Sequence, residues 1–222
     1  MKRLLVVVIL MASLMAFGAS LPKERIQNAL SILQELSETE DSGSFAELMG
    51  KSNGIVIYPE MVKAALGFGG QFGEGFMLKR GEDGRWYGPL FLKLYGISYG
   101  FQAGVQKSGL VLVIMNEKGI EGFLSNNVTL GGSASISAGP TGKTLSADTD
   151  YKLEAAIYSY SVSNGIFAGV SLGGSIVRQD TETNREYYGL SLTPTEIIER
   201  EASGVEIEEL IGFLNSLIGP KE

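Results

Sequence analysis

Residues 95–105 read YGISYGFQAGV, and this stretch decides the fold because its side chains alternate in size. The even positions hold glycine, serine or glutamine. The odd positions carry the bulkier side chains, namely Tyr95, Ile97, Tyr99, Phe101, Ala103 and Val105. Since successive residues of a strand face opposite sides of a sheet, the stretch predicts a strand with one bulky face and one nearly bare face.

The same alternation recurs along the chain, at residues 67–77, 128–138 and 165–175. Glycine weakens a strand, so several glycines in a row need a reason such as tight curvature or close backbone approach. Residues 110–115 instead form a continuous apolar run, which is typical of a buried strand. We therefore predict a strongly curved, glycine-rich antiparallel sheet or a small barrel.

Helical patterns flank the predicted strands and make the fold class α+β. Residues 22–37 predict an N-terminal amphipathic helix, and residues 45–49 a short apolar helix. The run Thr193-Pro194-Thr195-Glu196 is a capping box with proline at the first helical position, and Ser203 with Glu206 predicts a last helix. Its apolar face comprises Ile207, Leu210, Ile211, Leu214 and Leu217.

Three short segments receive local predictions. Residues 60–66 predict one or two helical turns, and residues 116–119 predict a turn. Asp180, Glu182 and Asn184 have the spacing of a calcium loop, but Arg185 occupies the position that requires glycine. A hairpin loop is the simpler interpretation of that segment.

The first 20 residues have the composition of a secretory signal peptide. Lys2 and Arg3 precede an apolar or small-residue stretch of 14 residues, which is short for the roughly 20 residues of a membrane span. Small residues allow cleavage after Gly18 or after Ser20, and an uncleaved anchor is the alternative. We predict a signal peptide at residues 1–20, a single domain at 21–222, and export to the periplasm or the cell exterior, with peripheral attachment to a membrane as one option.

Composition argues against several function classes. Without Lys2 and Arg3 the chain has 16 basic and 25 acidic side chains, which disfavours nucleic acid as a partner. The chain has no histidine and no cysteine, so it lacks the usual general base and the commonest metal ligands. We predict no cofactor, no metal and no enzyme; Asp148 with Asp150 is the weak enzymatic alternative. Residues 139–144 end like a phosphate-binding loop, but Ser137 stands where its first glycine belongs.

Cations and aromatic side chains lie together around a predicted turn at residues 79–93. Tryptophan favours the membrane interface, and lysine and arginine reach lipid phosphates. The residues predicted to bind lipid are Lys79, Arg80, Arg85, Trp86 and Lys93. The alternative is that Trp86 packs in the core and that the cations are only solvated.

Seven segments, in order along the chain, resemble the SYLF family, a lipid-binding domain found in bacteria and eukaryotes. The segments lie at 53–59, 69–75, 84–89, 100–104, 138–143, 160–172 and 184–189 and read NGIVIYP, GGQFGEG, GRWYGP, GFQAG, AGPTGK, YSVSNGIFAGVSL and NREYYG. The resemblance covers residues 26 to about 200. It implies one SYLF-like domain with a non-enzymatic, membrane-binding function.

Together the residues and the resemblance predict a lipid-binding domain of the bacterial cell envelope that contacts anionic phospholipid headgroups. The acidic N-terminal helix and the export signal point to an envelope phospholipid as the ligand. The alternative is a structural or partner-binding periplasmic protein that uses its amphipathic helices and has no lipid ligand, with a homo-oligomer as one option.

Overall fold

The computed structural model describes residues 20–39, 42–125, 127–132, 135–139, 156–163, 166–170 and 172–218. The helices are α1 (Pro22–Ser37), α2 (Ser42–Gly50), α3 (Glu117–Leu124), α4 (Thr181–Tyr188), α5 (Pro194–Ile198) and α6 (Val205–Ile218). The strands are β1 (Gly54–Arg80), β2 (Trp86–Ile114), β3 (Val128–Thr129), β4 (Ile136–Ala138), β5 (Ile157–Ser163), β6 (Ile166–Gly169) and β7 (Ile176–Gln179). The predicted signal peptide up to residue 19, most of the loop at 139–144, and the acids Asp148 and Asp150 lie outside the described residues.

Two very long strands dominate the sheet. β1 and β2 pair antiparallel along nearly their whole length, from Gly54 opposite Ile114 to Arg80 opposite Trp86. The helical turns predicted for residues 60–66 are wrong, because this segment is part of β1 and Ala64 pairs with Val105. The local apolar pattern fits a short helix equally well, and only pairing with a distant strand decides between the two.

The ribbon formed by β1 and β2 bends back on itself. A Cβ atom added at Gly54 would lie 2.6 Å from the carbonyl oxygen of Leu78, and the Arg80 N–H donates to the Asn53 carbonyl oxygen at 2.8 Å. The two ends of β1 are therefore in backbone contact. Glycine permits that contact because it has no side chain. The bend itself, residues 61–72 of β1 with residues 95–108 of β2, is called the arch below.

The remaining strands complete one strongly curled sheet on both sides of the arch. Its order is β3-β7-β2-β5-β4, with β1 on β2 and β6 on β5, and β4 pairs parallel to β5 while the other pairs are antiparallel. β7 pairs with positions 92–95 of β2, and β5 pairs with positions 109–114. Within the described part of the chain, positions 96–108 of β2 are therefore bordered by β1 alone.

Helices cover both faces of the sheet outside the arch. One core contains Ile55, Ile57, Phe76, Val111 and Val113 with the buried faces of α1, α2 and α6. The other contains Val56, Leu92 and Leu112 with α3 and α5. The continuous apolar run at residues 110–114 is buried on both faces, as predicted. The α+β class and the curled sheet with terminal helices are confirmed.

The sequence predicted the limits of α1 and the start of α5 correctly, but it predicted loops at two places where helices begin. Helix α1 spans the predicted residues, and the capping box at Thr193 starts α5. The turn predicted at residues 116–119 is instead the start of α3, where the Asn116 side chain accepts from the Gly119 N–H at 2.9 Å. The hairpin predicted around Asp180 is the start of α4, where Asp180 accepts from the Thr183 N–H at 3.3 Å. Asparagine and aspartate favour turns and helix starts for the same reason, a local side-chain acceptor.

Candidate functional site

The predicted lipid-binding residues do not form one cationic patch. Trp86 is only 2% exposed, lies in the core with α6, and donates from its ring nitrogen to the Asn215 side chain at 2.9 Å. This position corrects the expectation of an exposed ring at a membrane interface. Burying the large apolar ring against the sheet stabilises the fold, and Asn215 satisfies its single donor.

Three of the predicted cations are occupied by partners within the protein. Arg80 is buried and donates to the Gly50 carbonyl oxygen at 3.1 Å. Lys79 pairs with Glu117 at 3.2 Å. Arg85 is the most exposed of the three and pairs with Asp83 and Glu201, both at 2.7 Å.

The Asp83 carboxylate accepts hydrogen bonds from two neighbouring side chains at the β1–β2 turn. The Tyr87 hydroxyl donates to it at 2.8 Å and the Arg85 side chain at 2.7 Å. These hydrogen bonds, with that of Tyr87 the largest cause, hold the pKa of the Asp83 carboxyl below its ordinary value. Asp83 is thus an anion that offsets the charge of Arg85 at the turn. Lipid contact through Lys79, Arg80, Arg85, Trp86 and Lys93 stays a prediction.

The fourth cation, Lys93, belongs to a cluster of charges at the foot of the arch. Its ammonium lies 3.2 Å from Asp180 and 3.6 Å from Glu74. The guanidinium of Arg25 approaches the same two carboxylates, at 2.9 Å from Asp180 and 3.1 Å from Glu74. Two cations and two anions therefore alternate in one network that joins α1, both long strands and the start of α4. Arg25, Glu74, Lys93 and Asp180 are called the charge cluster below.

Burial makes the charge cluster costly to disrupt. Arg25 is 1% exposed and Asp180 is 2% exposed. Burial opposes the ionisation of Asp180, but hydrogen bonds from Thr183 and Arg25 and the charges of Arg25 and Lys93 outweigh it, so the pKa of this carboxyl lies below its ordinary value. The folded structure therefore favours the ionised form of the Asp180 carboxyl.

Residue Ser20 completes the charge cluster on the side where the chain enters the domain. Its backbone N–H and its hydroxyl both donate to Glu74 at 3.1 Å. Its hydroxyl oxygen and its carbonyl oxygen accept from the Arg25 Nε, at 2.9 and 3.1 Å. Ser20 is therefore held by two members of the charge cluster, Glu74 and Arg25.

Beyond the charge cluster, one face of the sheet changes from charged to apolar in ordered rows. Directly paired residues share a face. The first row is Glu74, Lys93 and Arg178; the second is Phe72, Tyr95, Ile176 and Thr129; the third is Gly70 and Ile97. The rings of Phe72 and Tyr95 pack against each other at an angle of 48°, with centroids 5.3 Å apart. Phe72, Tyr95, Ile97 and Ile176 are called the arch surface below.

Exposure rises steadily along this face. On β2, Phe91 is fully buried, the Lys93 side chain is 23% exposed and Ile97 is 71% exposed. Ile176 on the neighbouring strand is 39% exposed, and Val105 on the other limb of the arch is 66% exposed. The described helices and strands thus leave these large aliphatic side chains largely uncovered.

Sequence reasoning missed the arch surface although it found the strand. The alternation in residues 95–105 placed Tyr95 and Ile97 on one bulky face, which is where they lie. Nothing local shows which part of that face the helices leave uncovered. The approach of Arg178 and Ile176 depends on a strand more than 70 residues away in the chain.

No arrangement typical of an active site stands out in the described residues. None of their acidic side chains group in threes as a metal site requires. An open groove of about 590 Å³ lies beside Leu21, Lys23, Tyr187, Tyr188, Arg200 and Glu206. The groove is lined by acidic, basic and aromatic side chains, and none of its lining residues is a buried nucleophile. None of the helices in the described segments is both long and apolar enough to cross a bilayer.

Comparison with known proteins places the chain in a family. Residues 95–217 match the family model described as "Ysc84: Las17-binding protein actin regulator". The SH3 domain-containing YSC84-like protein 1 of Rattus norvegicus is 31% identical over 201 residues, which are 87% of this chain and 59% of that protein. Protein YSC84 of Saccharomyces cerevisiae is 32% identical over 154 residues, which are 68% of this chain and 33% of the yeast protein.

These matches cover most of the chain but only part of the relatives. The chain spans about three fifths of the rat protein and a third of the yeast protein. A related protein of Xenopus laevis is 35% identical over 143 residues, 64% of this chain and 42% of its own length. The family match spans more than half of the chain, and the rat protein's similarity extends over most of the rest. The chain belongs to the Ysc84 family of SYLF domains.

Proposed function

We propose that this chain is a non-enzymatic binding module of the bacterial cell envelope that contacts anionic phospholipid through the arch surface. The observation that carries the proposal is the exposure of Ile97 at the end of a face that passes from charged to aromatic to aliphatic rows. The family is known by its binding and regulatory members, which agrees with a module that recognises a surface.

The order of the rows matches the layers of a membrane interface. Aromatic side chains favour the level of the headgroups, aliphatic side chains the hydrocarbon boundary, and cations the phosphates. With Ile97 pointing at the bilayer, Phe72 and Tyr95 would lie at the interface and Arg178 at the phosphates. In this arrangement Tyr95 takes the place of Trp86 as the interfacial ring, and Lys93 lies in the charged row opposite Arg178.

Charge at this end of the molecule favours an anionic ligand. The whole chain has a formal net charge of −7. Within the charge cluster, however, Arg25 and Lys93 balance Glu74 and Asp180, and the exposed Arg178 is held only by a hydrogen bond to Asn127 at 2.8 Å among the described contacts. Arg178 is therefore available for a lipid phosphate, next to the exposed apolar side chains.

The point where the chain enters the domain supports the same orientation. Ser20 is held against Glu74, in the charged row beside the arch surface. The apolar stretch at residues 4–17 comes shortly before Ser20. If the apolar segment stays attached, as in the uncleaved alternative, it would tether this end of the folded domain close to the bilayer.

A protein partner is the second candidate, because the description of the family records Las17 binding and actin regulation. The apolar faces of α1 and α6 are unavailable for it, since Ile26, Leu33, Ile207 and Leu214 are buried in the core. A protein partner would have to use an exposed surface such as the arch.

Co-sedimentation with vesicles tests the proposal. We expect the wild-type chain to bind phosphatidylglycerol vesicles at low salt and to bind less as salt rises, because screening weakens the contact with Arg178. We expect Ile97→Asp to lower the bound fraction at least about fivefold, since a charge replaces buried apolar area at the interface.

Val205→Asp is the matched control, because Val205 is 86% exposed and begins α6, away from the arch. Equal binding of the Ile97→Asp and wild-type chains would contradict the arch surface. In that case a loss with Lys79→Glu/Arg85→Glu would point to the turn between β1 and β2. Absence of binding to any anionic vesicle would overturn the lipid proposal and leave the protein partner.

A further inference from the structure

We propose that a cavity between α4 and α5 binds a small monoanion with a short aliphatic chain, of the chemical class of the short-chain carboxylates. The cavity has a volume of about 240 Å³ and is lined by residues of β2, β7, α4, α5 and the loop that joins the two helices. Pockets for drug-sized molecules usually exceed roughly 300 Å³, so this cavity fits a smaller molecule.

The cavity is separate from the arch surface. Gln179 lines it and pairs with Leu92, whereas the preceding residue, Arg178, pairs with Lys93 in the charged row. Since neighbouring residues of a strand face opposite sides of a sheet, the cavity lies on the other face from the charged row. Binding in the cavity therefore does not depend on the proposed contact with lipid.

Buried apolar side chains form the floor of the cavity. Leu90 is fully buried, Ile197 is 1% exposed, and Leu192 is partly buried against the same core. An aliphatic chain that covers this floor leaves water, which stabilises the complex in proportion to the apolar area buried. The floor thus favours a ligand with an apolar part over a fully polar ion.

Two side-chain amides supply hydrogen-bond donors beside this floor. The Asn184 side chain accepts from the Phe91 N–H at 2.9 Å and donates to the Phe91 carbonyl oxygen at 3.1 Å. The Gln179 side chain donates to the Leu124 carbonyl oxygen at 2.9 Å. Each amide nitrogen carries two hydrogens, so each keeps one N–H beyond these bonds. A ligand that accepts hydrogen bonds fits such a lining.

The charge of the lining favours an anion. Arg185 lines the cavity, and none of the lining residues is acidic. Within the described part of the chain, the Arg185 guanidinium makes no ion pair, and the hydroxyls of Thr181 and Ser191, which also line the cavity, make no hydrogen bond. A carboxylate matches one guanidinium in charge and in bidentate geometry. A phosphate monoester carries about two negative charges at pH 7 and would exceed the single cation.

The absence of acids distinguishes this cavity from the larger groove on the molecule. The chain has 25 acidic and 18 basic side chains, so acids are common on its surface. The groove of about 590 Å³ is lined by Glu186, Glu201 and Glu206, which repel an anion. The smaller cavity is therefore the better site for a negatively charged ligand.

Helix caps hold the loop over the cavity in place. Gly189 ends α4 in the left-handed conformation, with a φ of 70°, and Thr193 begins α5 with a capping box. Ser191 and Leu192 lie between these two fixed ends. The cavity is thus formed before a ligand enters, and binding requires little ordering of the loop.

Calorimetric titration of the purified chain tests the ligand class. The probes are hexanoate, acetate, 1-hexanol and inorganic phosphate. We expect hexanoate to bind at least about tenfold more tightly than acetate, which lacks the aliphatic chain, and than 1-hexanol, which lacks the charge. Inorganic phosphate that binds as tightly as hexanoate, or hexanoate that shows no saturable binding, would overturn the proposal.

Substitution of Arg185 tests the site. We expect Arg185→Gln to weaken hexanoate binding at least about tenfold and to leave the weak binding of 1-hexanol unchanged, because only the charged hydrogen bonds are lost. Arg200→Gln is the matched control, since Arg200 is an exposed arginine that lines the larger groove. It should bind hexanoate as the wild type does.

Equal affinity of the Arg185→Gln and wild-type chains for hexanoate would overturn the cavity as the site. Circular dichroism of the two variants checks that both are folded. Vesicle co-sedimentation of Arg185→Gln should match that of the wild type, because Arg185 is not part of the arch surface. The lipid proposal and the cavity proposal can therefore fail separately.

Discussion

At the scale of the residue, glycine determines how tightly the sheet can curl. A Cβ atom at Gly75 would lie 2.6 Å from Tyr58 Cδ1 and 2.9 Å from the carbonyl carbon of Ile57. Both distances are shorter than any ordinary contact, and a backbone atom cannot move aside as a flexible side chain can. The alternation of glycine with bulky residues is therefore a packing requirement where β1 folds against itself.

The first prediction concerns this contact. We expect Gly75→Ala to lower the free energy of unfolding by about 2–3 kcal/mol, because overpacking of a close contact forces backbone shifts. Urea unfolding monitored by circular dichroism measures it. Gly104→Ala on the arch is the control, since a Cβ there has no heavy atom within 4 Å. A Gly75→Ala protein as stable as the Gly104→Ala protein would contradict the backbone contact.

At the scale of the element, α1 is held by a buried charge as well as by its apolar face. Ile26, Ala29, Leu33 and Leu36 pack into the core, and Arg25 reaches Glu74 and Asp180 from the same face. The helical spacing of the apolar residues is visible in the sequence, whereas the partners of Arg25 are 49 and 155 positions away. The helix is thus locally specified but positioned by distant residues.

The second prediction separates these two contributions. We expect Arg25→Ala to lower the free energy of unfolding by roughly 3–5 kcal/mol, because it leaves two carboxylates without their buried partner. In the Arg25→Ala protein, amide hydrogen exchange should accelerate more in α1 than in β5, relative to the wild type. Lys23→Ala, an exposed change on the same helix, is expected to alter stability by less than about 0.5 kcal/mol. Similar effects of the two substitutions would show that the ion pairs contribute little.

At the scale of the whole molecule, the charge cluster links stability to pH. The Asp180 pKa lies below its ordinary value of 3.8, so the folded state favours the ionised carboxylate. This contribution is complete above about pH 4, where the carboxyl is ionised in the folded and unfolded states, and it is lost as the pH falls through the lower, folded value. The fold should therefore resist mild acid and weaken only below about pH 4.

The third prediction follows from the lowered pKa of Asp180. We expect the wild-type free energy of unfolding to be nearly constant from pH 7 to pH 5 and to fall below pH 4, as measured by urea unfolding. Asp180→Asn should be less stable at pH 7 and should lose less stability below pH 4. Glu60→Gln should follow the wild-type profile. A wild-type slope below pH 4 retained in Asp180→Asn would assign the acid sensitivity to other carboxylates.

The contrast between Trp86 and Ile97 shows where sequence reasoning on the site ended. A tryptophan beside three cations fits a membrane surface, and an isoleucine in a regular strand fits a core. In the structure Trp86 is 2% exposed, as in the alternative interpretation, whereas Ile97 is 71% exposed. Exposure depends on which elements pack over a residue, and that information lies in α6 and β7 rather than near Trp86 or Ile97.

The sequence by itself determined the α+β class, the limits of α1, the start of α5 and the family. Periodicity and caps are local, so α1, α5 and the glycine-rich strands could be predicted from neighbouring residues. Only the tertiary structure decided that β1 and β2 bend into an arch, that residues 60–66 join a strand, and that Arg25, Glu74, Lys93 and Asp180 meet. These features arise from contacts between segments far apart in the chain, whose energies exceed local preferences and leave no local pattern.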